Sequence, residues 1–420
     1  MAANALKRMA RWAPAILILA LLGPVLMSAN PTLADKLIFK DGRVWDGTIL
    51  MEKDELIKFR MEVGGIEQVH WVSLDQLKRV VREEGGGDEA TTDSQKRDAK
   101  PKSLKDFDPE VPTMVFIPMG FGSGEDMVGT YMNRKPLRES LEKAAELGDN
   151  AIAVLVFNSG GGMLLEIEPM SDLIEEYKGK IRVVAWIKSA ISAAAMTAHA
   201  IPEIYFMPEG HYGGCTGFFG TGSGYQEVSG QALEEVLLMM ERISERGGYD
   251  PLIMRKMQVN WFALSADISP DGVVSFHPDD SGEYMVNAEG KILTFNSETA
   301  MQFGFGKGVA ETEQELADLL QLTEWQRADF GEEIMLDWRD NIKTAEAEIP
   351  KIRVKLDRAL GEAGSGNERT RRRALGQARN YLRQLQVWLK KAEIICMMNG
   401  INEDVLRQID RQIRELATRD

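Results

Sequence analysis

The feature that most constrains the fold of this chain is a pair of short, nearly unbroken apolar runs with a helical pattern between them. The runs occupy residues 151–157 (AIAVLVF) and 181–187 (IRVVAWI), and residues 170–177 have the spacing of an amphipathic helix. Strands that are apolar on both faces are typical of a parallel sheet covered by helices. The alternation predicts βαβ units around a mostly parallel sheet, which is an α/β fold.

A further strand and helix precede this pair. Residues 114–117 form a short apolar run, and Gly148 offers a helix stop after a stretch with helical spacing. The apolar positions of that stretch are Leu137, Leu141, Ala144, Ala145 and Leu147. We therefore predict one α/β domain over residues 111–323.

The amino-terminal residues 1–34 have the pattern of a signal peptide. Lys7, Arg8 and Arg11 form a positive region, an apolar run follows over residues 12–27, and small residues at 32–34 offer a cleavage site. An uncleaved membrane anchor is the alternative, although a spanning helix needs about 20 apolar residues. Both interpretations predict an exported protein, periplasmic or secreted, with membrane association in the second case.

Two further segments flank the α/β domain. Residues 35–82 alternate β-formers with turn signals, which predicts a small SH3-like β-barrel or a plain β-meander. Residues 83–110 are polar, charged and glycine-rich, which predicts a disordered linker. Residues 324–420 have helical patterns throughout, which predicts either a helical hairpin folded onto the α/β domain or an oligomerisation arm of coiled-coil type.

The composition excludes several classes of site. The formal net charge is -15, which argues against nucleic acid as a partner. Only two cysteines are present, and the four histidines have no ligand-type spacing. We therefore expect neither a metal site nor a cofactor.

Three segments of the α/β domain could carry chemistry. A glycine turn at residues 158–162 (NSGGG) follows a buried strand, and is either a tight connection or a place where backbone N–H groups approach a ligand. Ser192 follows the next buried strand and opens a helix of small residues, which suits either an N-cap or a reactive hydroxyl. Residues 204–214 (IYFMPEGHYGG) then read as a strand ending in a turn.

The order and spacing of these segments resemble the Clp/crotonase superfamily, and most closely its NfeD-type and signal-peptide-peptidase-A-type serine peptidases. The family's Ser-Pro-Gly-Gly turn matches residues 159–162, its Ser-Ala-Gly-Ala matches residues 192–195, and its Glu-Ile-Tyr-Met-Ala-Pro strand matches residues 203–208. A fourth segment, residues 290–304, is similar to the family's Gly-Lys-x-Leu-Thr…Glu-x-Ala…Gly pattern. The resemblance covers residues 112–322 and leaves out the amino-terminal β domain and the helical region.

The resemblance implies a mechanism. Ser192 would attack a peptide carbonyl, and backbone N–H groups of Gly161 or Gly162 and of Ala193 would hold the oxyanion. A hydroxyl nucleophile also needs a general base. In the NfeD-type and signal-peptide-peptidase groups the base is a lysine that would fall near residues 228–230, where this sequence has none.

Four residues are candidates for the missing base. His211 follows the matching strand on a glycine-rich turn, and we take it as the first candidate. Lys256 is interpreted as a solvated charge, His199 as a packed core residue, and Lys188 could point to either face of the sheet. Ala194 also replaces the family's middle glycine, and its methyl group could narrow the space beside Ser192.

Two functions therefore remain open from the sequence. One is a serine endopeptidase that acts on peptides or proteins, and the other is a catalytically degenerate fold that serves as a peptide-binding or assembly module. A crotonase-type acyl-thioester enzyme is a third class, although no carboxylate placement favours it. The resemblance also implies a homo-oligomer.

Overall fold

The computed structural model describes residues 35–40, 44–53, 56–63, 66–73, 77–81, 103–122, 126–221 and 224–418. The chain divides into two compact units, Met1–Arg97 and Asp98–Asp420. The predicted signal peptide over residues 1–34 lies outside the described residues. Among the residues that are described, no helix is both long enough and apolar enough to cross a membrane.

The described residues of the first unit form one antiparallel sheet of five strands. They are β1 (Asp35–Phe39), β2 (Val44–Lys53), β3 (Leu56–Val63), β4 (Ile66–Ser73) and β5 (Leu77–Val81), in the order β4-β3-β2-β1-β5. Alternate residues of β1 and β3 point to one side and are buried there, as the two-residue period of a strand requires. An SH3-like closure of this sheet stays a prediction.

The second unit contains the other strands and all the α-helices found in the described residues. The strands are β6 (Thr113–Met119), β7 (Ala151–Ser159), β8 (Arg182–Ile191), β9 (Glu203–Gly213), β10 (Phe218–Thr221), β11 (Gly224–Glu227), β12 (Leu264–Ile268), β13 (Val274–His277), β14 (Tyr284–Asn287), β15 (Thr294–Asn296) and β16 (Gln326–Ala328). The helices are α1 (Arg134–Ala145), α2 (Ile167–Lys178), α3 (Ala193–Ala198), α4 (Gly230–Gly247), α5 (Pro251–Gln258), α6 (Ser297–Gln302), α7 (Glu313–Leu319), α8 (Phe330–Ser365), α9 (Glu368–Lys391), α10 (Glu393–Met398) and α11 (Glu403–Ala417).

The main sheet of this unit has six strands in the order β15-β9-β8-β7-β6-β16. All neighbouring pairs are parallel except β15 with β9. The parallel strands β6 to β9 follow one another in the chain and are joined by α1, α2 and α3, whose apolar faces share one core. The structure therefore has the mixed α/β fold with a mostly parallel sheet that the apolar runs predicted.

The opposite face of the sheet has its own, smaller core. Alternate residues of the same strands, such as Phe116, Val154 and Trp186, pack there against Leu316 of α7. The strands are apolar on both faces because each face is covered by helix, as expected for parallel strands. Two smaller sheets, β10-β11 and β13-β12-β14, are antiparallel and lie outside the main sheet.

The helical region folds against the α/β domain within the same compact unit. Gly331 at the start of α8 lies against β6, because a Cβ there would meet the Phe116 carbonyl oxygen at 2.5 Å. α8 and α9 are joined through Gly366 and Asn367, and the Asn367 side chain accepts the Thr370 N–H to cap α9. Apolar residues of α8, α9, α10 and α11 form a separate core. Self-association through this region stays a prediction.

Residues 103–110, which we expected to belong to the linker, are ordered in the second unit. Ser103 caps a short 3-10 helix at Leu104–Asp106 in a capping box. Phe107 is buried in the main core. A single buried aromatic residue in a polar segment gives little compositional signal, so the boundary predicted at residue 110 came too late in the chain.

Candidate active site

Ser192 lies at the carboxyl end of β8, immediately before α3, in a strained backbone conformation. Its φ is 56° and its ψ is -127°. A serine rarely adopts a positive φ, and such a conformation costs about 1–3 kcal/mol. The Ser192 N–H donates to the Gly213 carbonyl at 2.8 Å, and its own carbonyl accepts the Met196 N–H at 3.0 Å. These bonds hold a sharp strand-to-helix turn, which is the arrangement that exposes a nucleophilic serine in hydrolases.

The Ser192 hydroxyl does not cap the helix that it precedes. Its side chain makes no capping hydrogen bond to α3, and among the described residues Oγ has no hydrogen-bond partner. The residue is half-buried, so the hydroxyl remains within reach of a ligand. The common structural role of a serine at a helix start is therefore not the role of Ser192.

The small residues of α3 allow the helix to lie close against the sheet. Every residue from Ala193 to Ala198 is buried. Ala194, where the family pattern has glycine, is fully buried in the main core. Its methyl group therefore packs into the core and does not occupy an exposed cleft beside Ser192.

The glycine turn at residues 158–162 follows β7, the strand beside β8, so the two carboxyl ends bring it next to Ser192. Gly161 has a φ of 113°, and a Cβ there would lie 2.6 Å from Ser192 Cβ and 3.1 Å from Ser192 Oγ. Gly162 has a φ of 155°, and a Cβ there would lie 2.3 Å from the Val128 carbonyl oxygen. Only glycine satisfies both the backbone angles and these close approaches. The structure thus brings together Ser192 and the two predicted glycines.

The hydrogen bonds of this turn decide which N–H groups could hold an oxyanion. The Gly161 N–H donates to Ser159 Oγ at 3.2 Å. The Val128 N–H donates to the Gly161 carbonyl, and the Val128 carbonyl accepts the Met163 N–H, both at 2.9 Å. Because successive N–H groups of an extended segment point to opposite edges, the Gly162 N–H points away from Val128.

Two N–H groups near Ser192 therefore remain available. The Gly162 N–H has no acceptor among the described residues. The Ala193 N–H lies in the first turn of α3, where helical N–H groups have no partner within the helix, and it too has no acceptor in the described part of the chain. A backbone pair of this kind beside a serine hydroxyl is suited to stabilising a developing oxyanion.

The structure does not bring His211 to Ser192. His211 is exposed in β9 and is in register with Ser189 of β8, three residues before Ser192. At about 3.3 Å per residue, that offset is about 10 Å along the strand. The structure likewise leaves Lys188 exposed.

Lys256 differs from its interpretation as a solvated charge. It is fully buried, and its Nζ donates to the Phe262 carbonyl at 2.5 Å and lies 5.2 Å from the Phe262 ring centre. Burial lowers its pKa below the ordinary range. The interpretation from the sequence was wrong because the loop after α5 covers Lys256, and helical spacing does not show where that loop lies. The ammonium group holds that loop.

Behind α3, a sealed aromatic cluster contains His199. Its ring packs against Tyr212, Tyr249 and Phe305 with centroid distances of 4.7–6.2 Å. Tyr212 donates its O–H to the Ala195 carbonyl at 2.6 Å. Because that proton is already donated, His199 Nδ1, which lies 3.1 Å from the Tyr212 hydroxyl oxygen, carries a proton and donates it to this oxygen. Burial lowers the pKa of His199 to about 3, so the ring is neutral. The interpretation of His199 as a packed core residue is confirmed.

Cys215 is a neighbour of Ser192 that sequence reasoning did not single out. Its Sγ lies 3.6 Å from the Ser192 carbonyl oxygen, and its N–H donates to the Met257 carbonyl at 2.6 Å. It is buried, and burial raises the pKa of its thiol. A protonated, inaccessible thiol supports the turn and does not act as a nucleophile. Neither cysteine forms a disulfide, and no group that could hold a metal ion is present among the described residues.

Comparison with known proteins gives likeness of fold alone. No family model matches the sequence, and no curated protein matches it. Among solved structures, a variant of the 1510-N membrane-bound stomatin-specific protease is 15% identical with a TM-score of 0.35, covering 49% of this chain and 83% of that chain.

Two further solved structures of similar fold are ClpP proteases. A variant of ClpP1 from Listeria monocytogenes is 14% identical with a TM-score of 0.29, covering 50% of this chain and 96% of that one. The ClpP catalytic domain from Plasmodium falciparum is 13% identical with a TM-score of 0.29, covering 50% and 88%. With TM-scores below 0.5, none of these likenesses carries an argument about activity.

Proposed function

We propose that the protein is a serine hydrolase of the endopeptidase type, with Ser192 as the nucleophile. The proposal is carried by one observation: Ser192 has a strained strand-to-helix backbone, and its hydroxyl is not used as a helix cap. A strained backbone persists only where the surrounding hydrogen bonds maintain it, and strained residues cluster at active sites. The adjacent Gly162 and Ala193 N–H groups supply the second component of the site.

The reaction proceeds in two steps. Ser192 Oγ forms a bond to the substrate carbonyl carbon, and the negative charge that develops on the carbonyl oxygen is held by the Gly162 and Ala193 N–H groups. The peptide C–N bond breaks, the amine leaves with the proton that the hydroxyl lost, and an acyl-enzyme remains. Water then attacks the acyl carbon and releases the carboxylic acid and free Ser192.

The proton of Ser192 must pass through an acceptor. Catalytic hydrogen bonds are often long or absent without substrate and tighten in the complex. We propose that the acceptor joins Ser192 when a peptide occupies the site. His211, the candidate from the sequence, would have to move about 10 Å along the sheet to serve, so we do not assign it this role.

Labelling with a fluorophosphonate, read by intact mass, tests the proposal. The reagent bonds covalently to an activated serine with loss of fluoride. We expect a single adduct on the wild type and none on Ser192→Ala. Ser189→Ala is the matched control, because Ser189 lies on the same strand and is not held in the strained turn, and it should label as the wild type does. Absence of the adduct from the wild type, where a control peptidase is labelled, rejects the hydrolase.

A peptide-binding module without turnover is the second candidate. It is favoured by the commitment of Lys256 Nζ to the Phe262 carbonyl and by the register of His211 with Ser189. This function predicts saturable peptide binding that Gly162→Val weakens, without any covalent adduct at Ser192. A peptide library screened by fluorescence polarisation, with Gly160→Val as the control, distinguishes it from the hydrolase.

We further propose that the protein acts outside the cytoplasm and associates with itself. Export rests on the charged and apolar pattern of residues 1–34, and an uncleaved segment would hold the protein at a membrane. Amino-terminal sequencing of protein isolated from cell fractions tests both points. Light scattering after size-exclusion chromatography tests the oligomer, and a monomer at all concentrations would reject it.

A further inference from the structure

The glycine turn is supported by a short segment that lies far from it in the sequence. Residues 126–132, here called the clamp segment, run beside the turn. The Val128 N–H donates to the Gly161 carbonyl, and the Val128 carbonyl accepts the Met163 N–H. Gly162 also lies against the Val128 backbone. Any movement of Val128 therefore displaces the glycines beside Ser192.

A buried hydroxyl forms a second link between the clamp segment and the turn. Ser159 Oγ donates to the Asp126 carbonyl at 2.6 Å and accepts the Gly161 N–H at 3.2 Å. Ser159 is 3% exposed, so water does not compete for these bonds. The position of the Asp126 backbone is thus transmitted to Gly161 through one side chain.

The helical region fixes the other side of the clamp segment. Arg339 of α8 forms an ion pair with Asp126, whose side chain is 0% exposed, and the second Asp126 carboxylate oxygen accepts the Phe121 N–H. The Trp338 indole N–H donates to the Thr130 carbonyl at 2.8 Å. The Tyr131 hydroxyl donates to Glu346 at 2.7 Å. Three side chains of α8, two adjacent and one about two turns later, therefore contact the segment that supports the glycine turn.

We propose that Arg339 and Trp338 are positioning residues for the oxyanion-binding N–H groups. They act through Asp126, Ser159 and Val128 and do not touch a substrate. A ligand or partner that displaced α8 would change the geometry beside Ser192, so the helical region would regulate the site. This regulation rests on the proposed hydrolase function, whereas the mechanical link between α8 and the glycine turn does not.

Hydrogen exchange measured by mass spectrometry on the full chain tests the link without reference to activity. We compare the wild type with Arg339→Met and with Arg353→Met. Arg353 is the matched control because it lies on the same helix and, within the described part of the chain, its side chain forms only an exposed ion pair with Asp357. In Arg339→Met we expect exchange at residues 126–132 and 159–163 to rise by about tenfold or more, because the local opening free energy falls. Exchange in residues 151–157 and 374–389 should stay unchanged, as should every segment in Arg353→Met.

Two further variants separate positioning from general stability. Arg339→Lys keeps the charge and should restore part of the protection at residues 159–163. Trp338→Phe removes the indole N–H and part of the ring's packing while keeping an aromatic side chain, and should open the same two segments by a smaller factor, even if Arg339→Met fails to fold. The proposal is overturned if residues 126–132 open while 159–163 do not, or if exchange rises equally in all four segments.

Fluorophosphonate labelling of Arg339→Met tests whether the contact between α8 and the glycine turn affects the proposed reaction of Ser192. In Arg339→Met the maximal rate of fluorophosphonate labelling should fall about tenfold or more, because an oxyanion donor is misplaced, with little change in the reagent concentration that gives half that rate. An unlabelled wild type would reject the hydrolase and leave the exchange result standing. A wild-type labelling rate in Arg339→Met, together with open glycine-turn amides, would overturn the regulatory part.

Discussion

The two ends of α3 differ in nearly every physical respect, although the helix has only six residues. At its start, Ser192 is strained and half-buried, and its hydroxyl has no partner among the described residues. At its end, His199 is fully buried, neutral and surrounded by aromatic rings. A strained residue persists only where its surroundings over-determine it. We infer that the end of α3 at His199, here called the sealed end, anchors the end at Ser192, here called the open end.

The largest expected effect is at the open end. Gly161→Ala should lower the fluorophosphonate labelling rate by about a hundredfold or more, because a Cβ would meet Ser192 and displace the backbone N–H groups that we propose to hold the oxyanion. Gly160→Ala is the control, since nothing lies within 4 Å of a Cβ at Gly160. Rates of label incorporation check this, and equal rates for the two variants would show that the close approach is unimportant.

The next effect is an acid-dependent loss of stability from the sealed end. The pKa of His199 is lowered to about 3 in the folded chain from 6.5. Below pH 6.5 the unfolded chain therefore binds a proton that the folded chain does not, so stability falls as pH falls from 6.5 to about 3. The loss should be about 2 kcal/mol by pH 5.

Urea unfolding at pH 7 and pH 5 measures this loss. His199→Phe cannot take up the proton and should show a smaller difference between the two pH values than the wild type. His277→Gln, which replaces a histidine outside the aromatic cluster, serves as the control. Identical pH dependence in His199→Phe and the wild type would mean that the sealed end does not exclude the proton.

A smaller effect is expected from Tyr212→Phe. The variant loses the O–H donated to the Ala195 carbonyl and leaves His199 Nδ1 without its partner, which should destabilise the fold by about 1–3 kcal/mol. Tyr284→Phe, at a more exposed position, should change stability little. Thermal unfolding followed by circular dichroism checks the difference. If Tyr212→Phe left stability unchanged but abolished labelling, the anchoring role of the sealed end would be wrong.

The smallest effect is expected from His211→Gln. Because His211 is exposed and in register with Ser189, we expect the labelling rate to stay within about twofold of the wild type. The fluorophosphonate rate measured from pH 5 to 9 checks this. A rate that fell by orders of magnitude and lost its pH dependence would establish His211 as the base and require movement of β9.

The sequence predicted the parts of the site that depend on local order along the chain. The apolar runs of β7 and β8 placed residues 158–162 and Ser192 at neighbouring strand ends, and the structure brings them together. Strand-then-glycine and strand-then-helix patterns are encoded within a few residues, so periodicity and turn chemistry suffice to find them.

Other parts could not be predicted because they depend on contacts between distant residues. Asp126 and Arg339 are 213 positions apart, and neither lies in a pattern that distinguishes a buried ion pair from a surface charge. Lys256 was misread for a different reason: the loop directly after α5 folds back over it, and helical spacing gives no information about the path of that loop. The strain at Ser192 also leaves no trace in composition, since serine is common at helix starts.

The pairing of Asp126 with Arg339 has a consequence for how the protein is made. A chain synthesised from its amino end exposes β7, β8 and Ser192 before any residue of α8, and domains assemble in that order. Contacts between residues so far apart in sequence close late, after the loop between them has been ordered. The glycine turn therefore acquires its full support last, and in the newly made protein the backbone beside Ser192 remains incompletely held until the helical region has folded.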